Sequence, residues 1–137
     1  MAATTNPGSP AVEMNRFADW VESFEGKRSF AARPLVFDGL WIDQYLKDYT
    51  NSFLADIPYL GRNIFTAGAL DIGTYMSGIF NRADPHMGAV KFPPEWHGNN
   101  THSHRAIDDA RGYATLVSKL LKIANDQPPH PDDFSIE

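Results

Sequence analysis

Ser29-Phe30-Ala31-Ala32-Arg33-Pro34-Leu35-Val36-Phe37-Asp38-Gly39-Leu40-Trp41-Ile42 is the stretch on which the fold class turns. Residues 29–32 read as a short buried strand and Arg33-Pro34 as a turn. A helix then runs from Leu35 to about Thr50, with Phe37-Asp38 at its opening and Phe37, Leu40, Trp41, Tyr45 and Tyr49 favouring one side. An acidic residue in the first turn of a helix is favoured by the helix dipole, so Asp38 taken alone requires no function.

Upstream, Val12, Arg16, Phe17, Trp20, Val21 and Phe24 recur at helical spacing, and Gly26 stops the run. A helix is expected over residues 10–24, with Ser9 as N-cap and Pro10 at the first helical position. Helical spacing puts Trp20 and Trp41 in the core. Downstream, residues 51–63 form a connector with room for a helical turn, and residues 64–67 are a candidate strand. Residues 70–80 read as a helix weakened by Gly73 and Gly78. Residues 81–100 are loop-rich. Residues 105–124 form the strongest helix, its apolar stripe made by Ala106, Ala110, Tyr113, Ala114, Val117, Leu120, Leu121 and Ala124. Helices alternating with short buried strands define an α/β protein.

Composition bounds the function. The chain has 137 residues, of which 42% are hydrophobic and 21% charged, the balance of one soluble globular domain. There is no cysteine, which excludes disulfides and thiolate metal sites and suits a reducing compartment. No apolar run approaches the ~20 residues of a membrane helix. The first nine residues lack the basic and apolar regions of an export signal, so a cytoplasmic location is expected. A net charge of −5 argues against a general nucleic-acid coat, yet leaves room for an enzyme that grips phosphates locally. Arg33, Arg62, Arg82, Lys91 and Arg105 are the candidate cations for such a grip.

Thr101-His102-Ser103-His104-Arg105-Ala106-Ile107-Asp108-Asp109-Ala110 opens the last helix. On a continuous helix the five-residue step from His104 to Asp109 turns about 140°, pointing the side chains apart. They converge only if His104 lies in the entry loop, which the breaker Gly98-Asn99-Asn100-Thr101 permits. A histidine held so beside a carboxylate suits a general base next to a metal ligand. The bland alternative is a helix start with Asp108 and Asp109 placed against the dipole.

The His104-x4-Asp109 segment resembles the third motif of the DEDDh 3'-5' exonucleases, the family of proofreading subunits and ribonuclease T. The segment around Phe37-Asp38 resembles that family's second motif. Gly68-Ala69-Leu70-Asp71-Ile72-Gly73-Thr74-Tyr75-Met76 resembles the strand-to-helix step that follows, where Asp71 reads as a structural group rather than a ligand. The resemblance covers residues 12–123. It implies a ribonuclease H-like fold and metal-assisted hydrolysis of phosphodiesters at the 3' ends of single-stranded DNA or RNA. It also implies His104 as the catalytic base, Asp38 and Asp109 as ligands to Mg²⁺ or Mn²⁺, and a two-metal site. Trp96 and Arg105 are the candidate substrate contacts.

The family opens with an Asp-x-Glu on its first strand, and no such strand precedes Asp38. Glu22-Ser23-Phe24-Glu25 has the wrong spacing. The expected architecture is therefore a truncated ribonuclease H-like fold, mostly helical, with two short parallel strands and the first antiparallel strands absent. Residues 1–9 are read as a flexible lead-in, 10–126 as the C-terminal part of an exonuclease-like domain, and 127–137 as a flexible acidic tail. Such a remnant leaves a strand edge exposed, to be covered by a partner chain or by self-association. The isolated chain is expected to be weak or inactive, and a non-catalytic interaction module is the competing reading. Glu95, His97, His102 and His104 also fall close together, and His-x-His can chelate zinc. The pattern departs from known zinc motifs at Asp108, four residues after His104, and zinc is not expected.

Overall fold

A computed structural model describes residues 8–81, 92, 94–100 and 105–126. The chain divides after Tyr75 into two compact units. It is a mixed α/β protein, mostly helical, with two short parallel strands.

In the first unit, helix α1 (Pro10–Glu22) starts as expected, with Ser9 extended and Pro10 at the first position. The Ser9 side chain makes no cap bond; its carbonyl accepts from the Glu13 N–H at 3.0 Å. Strand β1 (Phe30–Ala32) leads through a cis Arg33–Pro34 peptide into helix α2 (Leu35–Thr50). Asn51, at φ 52°, ends α2 in the left-handed conformation that asparagine tolerates. Strand β2 (Ala69–Asp71) pairs with β1 in parallel, Phe30 against Ala69 and Ala32 against Asp71. Parallel strands require a crossover, and α2 is that crossover.

The second strand therefore lies later than residues 64–67. Ile64 and Phe65 are buried in irregular backbone, where side chains replace a ladder. The Arg28 Nε–H donates to the Ile64 carbonyl at 2.8 Å, and the Thr66 hydroxyl accepts from the Arg28 N–H at 3.1 Å. Gly68, at φ 68°, turns the chain into register, and its carbonyl accepts from the Phe30 N–H. Helix α3 (Ile72–Ile79) accordingly begins two residues later than expected, because Leu70 and Asp71 belong to β2.

The core gathers Ala18 and Val21 of α1, Leu46 of α2, and Leu54, Ile64 and Phe65 of the connecting segment. Phe65 meets Phe30 edge-on with ring centroids 6.0 Å apart. Gly39 lets α2 approach Leu54. The face of α2 that is buried is Gly39, Leu46 and Thr50, the reverse of the aromatic side. Phe37, Leu40, Trp41, Tyr45 and Tyr49 are exposed, as is Trp20 of α1. Trp20 and Trp41 are thus not core residues. Helical spacing marks an apolar stripe but does not say that a neighbour covers it.

Arg62 fixes the connector to α1. Its guanidinium forks onto Glu22 at 3.1 and 2.6 Å and reaches Asp19 at 2.5 Å, while its N–H donates to the Asn51 carbonyl at 2.8 Å. The Arg62 hydrogen bond holds the Glu22 carboxyl below its ordinary range, and Glu22 and Asp19 raise the guanidinium in turn. Arg62 is engaged in this clamp.

In the second unit, a 3₁₀ segment (Pro94–His97) packs on helix α4 (Ala106–Asp126), with His97 and Tyr113 rings 6.2 Å apart at 67°. The Arg105 carbonyl opens α4 by accepting from the N–H groups of Asp108 and Asp109. Gly112, Leu116 and Leu120 are the buried residues of α4. Ala106, Ala110, Ala114 and Leu121 of the expected stripe are exposed. The helix is rotated because Gly112, lacking a side chain, is the residue that lies against His97.

Candidate functional site

Asp71 organises the carboxyl end of the two-stranded sheet. Its Oδ2 accepts from the Leu35 N–H at 2.8 Å, the first residue of α2, and its Oδ1 accepts from the Thr74 N–H at 2.7 Å. One carboxylate at the end of β2 therefore caps the amino termini of two helices, meeting donors that neither helix can satisfy internally. Partial burial pushes the Asp71 carboxyl up; the backbone donors of Leu35, Thr74 and Gly73 and the Thr74 hydroxyl together outweigh it and hold the group below its ordinary value. Asp71 is thus consumed by structure, in keeping with its reading as a structural group.

Asp38 stands one turn into the helix that Asp71 anchors. It lies in the first turn of α2, exposed, six residues after the carboxyl end of β1. The second candidate ligand, Asp109, lies in the first turn of α4 and is partly buried; its neighbour Asp108 stands 4.0 Å from Arg111. Asp38 and Asp109 belong to different units, each with a carboxylate at a helix amino terminus. His104 and His102 lie outside the described residues, as do Arg82 and Lys91.

Trp96 sits in the 3₁₀ segment, partly buried. Phe92 stacks on it at 5.1 Å and 24°, and the Lys119 ammonium lies 5.6 Å from its ring centre. One face of the indole is therefore taken by Phe92. Arg105 is exposed just before α4. His97 packs on Phe92 and Tyr113.

The oxygen donors present suit Mg²⁺ or Mn²⁺ in kind. They fall short in number: among the described residues no three His, Cys, Asp or Glu side chains come together. No helix among them is long and apolar enough to cross a membrane.

Sequence reading missed two features. The Arg62–Glu22 clamp joins residues forty positions apart and leaves no local signal. The Asp71 cap left one, since Asp-x-x-Thr is the spacing of an N-cap acceptor and its N3 donor. No protein-family model, curated protein or solved structure matches the chain.

Proposed function

We propose that this chain is the second- and third-motif part of a ribonuclease H-like 3'-5' exonuclease, acting on the 3' ends of single-stranded DNA or RNA. The observation that carries the reading is the division of labour at the end of the sheet. Asp71 is spent on the two helix caps, which leaves Asp38 as an exposed carboxylate on an anchored helix turn. Asp38 and Asp109 would be ligands to Mg²⁺ or Mn²⁺, His104 the base and Arg105 a phosphate contact. Two such ions, when bound, activate water and stabilise the leaving oxygen. The remaining carboxylates would be those of the Asp-x-Glu motif, which does not precede Asp38 in this sequence, so the isolated chain is expected to be weak or inactive.

Mn²⁺ titration of the ¹⁵N-labelled protein tests this reading without requiring turnover. Amide signals of residues 37–39 and 108–110 should broaden first, and Asp38→Asn and Asp109→Ala should each remove the broadening at their own site. Broadening spread evenly over surface carboxylates such as Glu13 and Asp48 would count against it.

A second reading, a non-catalytic interaction module, is favoured by one observation: the aromatic side of α2 faces solvent.

A further inference from the structure

We propose that the outward face of α2 is a docking surface for a basic amphipathic helix of another protein. The proposal stands on α2 and its surroundings alone and does not depend on the exonuclease reading.

Val36, Phe37, Leu40 and Trp41 are 67%, 68%, 67% and 65% exposed, and Tyr45 and Tyr49 continue the stripe toward the end of the helix. From Val36 to Tyr49 the stripe runs about 20 Å, at 1.5 Å per residue. An aromatic side chain carries ~150–250 Å², so Phe37 and Trp41 alone leave roughly 250 Å² open. With the four others the patch passes the few hundred Å² that a monomer ordinarily exposes. Its length and width match one helix of about four turns lying along α2, rather than the ~800 Å² per partner of two globular surfaces.

A groove of about 520 Å³ adjoins the stripe, lined by Val36, Gly39 and Leu40 of α2 with Leu54, Ala55 and Ala69. It offers room for a large apolar side chain.

Charge selects the occupant. Asp38 and Asp48 border the stripe, and Asp43 and Asp56 line the groove. Lys47 is the one basic residue of α2, and it is bridged to Asp43. Anionic lipid headgroups, and nucleic-acid phosphates not bridged by a metal ion, are repelled by this border. A second copy of the chain is also disfavoured. Antiparallel pairing of α2 with itself sets Asp38 against Asp48 of the copy, and parallel pairing sets each aspartate against its own counterpart. A heterologous helix escapes this if it carries Lys or Arg opposite both aspartates. These stand ten residues, or about 15 Å, apart, so the partner's two cations flank its apolar face at the same separation.

The test uses a fluorescein-labelled helical peptide of about 18 residues, with leucines at i, i+3, i+4 and i+7 and lysines ten positions apart. A second peptide has glutamates at the lysine positions. Fluorescence anisotropy with the full chain should give at least tenfold tighter binding of the lysine peptide. Trp41→Ser, on an exposed position and checked by circular dichroism, should weaken it about tenfold or more, as loss of a central aromatic anchor does. Asp48→Lys should shift the preference toward the glutamate peptide; Asp38 is left intact, so failure here leaves the exonuclease reading untouched. Equal binding of the two peptides, no binding of either, or lysine-peptide binding that survives Trp41→Ser overturns the proposal. So does a dimer in sedimentation velocity that Trp41→Ser returns to monomer, since the occupant is then a second copy.

Discussion

Replacing Asp71 by alanine should cost more stability than any other substitution of an acidic residue in the first unit. Two backbone donors, Leu35 N–H and Thr74 N–H, point at its two oxygens at 2.8 and 2.7 Å. A hydrogen bond to a charged group contributes about 1.5–3 kcal/mol net, and loss of an N-cap about 1 kcal/mol. Asp71 is only partly buried, so water can reach part of what is lost, and the two bonds share one carboxylate and are not additive. The expected cost is about 2–3 kcal/mol, a large part of the ~5–15 kcal/mol that holds a small domain folded. Urea unfolding followed by far-ultraviolet circular dichroism measures it. The midpoint should fall with the slope unchanged, because the same surface is exposed on unfolding. Asp71→Asn keeps one acceptor oxygen and should cost about half as much. An alanine variant within about 0.5 kcal/mol of wild type, the range of ordinary surface substitutions, would refute the double-cap account.

The remaining predictions concern pH, packing and exposure. Glu22 and Asp71 both have carboxyls held below their ordinary values of 4.5 and 3.8. The stabilisation they contribute is present above those values and is lost as pH falls through the lower folded-state values, so thermal midpoints should drop below about pH 4. Arg62→Met should flatten the Glu22 part of that dependence. Gly61→Ala should destabilise by about 1–3 kcal/mol, because a Cβ there would press into the Asn51 carbonyl oxygen; chemical denaturation checks it. Leu46→Ala, at a fully buried site, should cost about 2–5 kcal/mol, whereas Trp41→Ala on the outer face of α2 should stay within about 0.5 kcal/mol. Comparable costs at the two positions would mean that α2 is packed the other way round.

Local chemistry was legible in the sequence, and neighbourhood was not. Pro10 after Ser9 marked the start of α1, and residues 35–50 of α2 were bounded correctly, because proline and helical periodicity act within a few residues. The strand at β1 was visible in Phe30-Ala31-Ala32. Its partner was misplaced because Ile64-Phe65-Thr66-Ala67 has strand-like composition, while the pairing that decides the matter begins only after the turn at Gly68. The aromatic side of α2 looked like a core face since hydrophobic periodicity reports a stripe, not its cover. What buries the opposite side is Leu46 against the α1 residues Ala18 and Val21, with Gly39 close to Leu54, a tertiary choice that no window along α2 contains. In α4, the rotation of the buried face follows from Gly112 lying against His97, fifteen residues upstream. Of the candidate site, the first-turn positions of Asp38 and Asp109 were readable because acidic residues at helix starts have a local cause. Whether carboxylates from separate segments come together is a matter of tertiary packing, which spacing does not encode.

The most direct test of the central proposal is digestion of 5'-labelled single-stranded DNA and RNA in Mn²⁺. It compares the chain alone with a chimera carrying, ahead of residue 10, the three-stranded Asp-x-Glu segment of a DEDDh exonuclease. The account expects little or no cleavage by the chain alone. It expects laddering from the 3' end by the chimera, lost with either Asp38→Asn or Asp109→Ala. A folded chimera that is inert, or one that ladders equally well with both aspartates replaced, would contradict it.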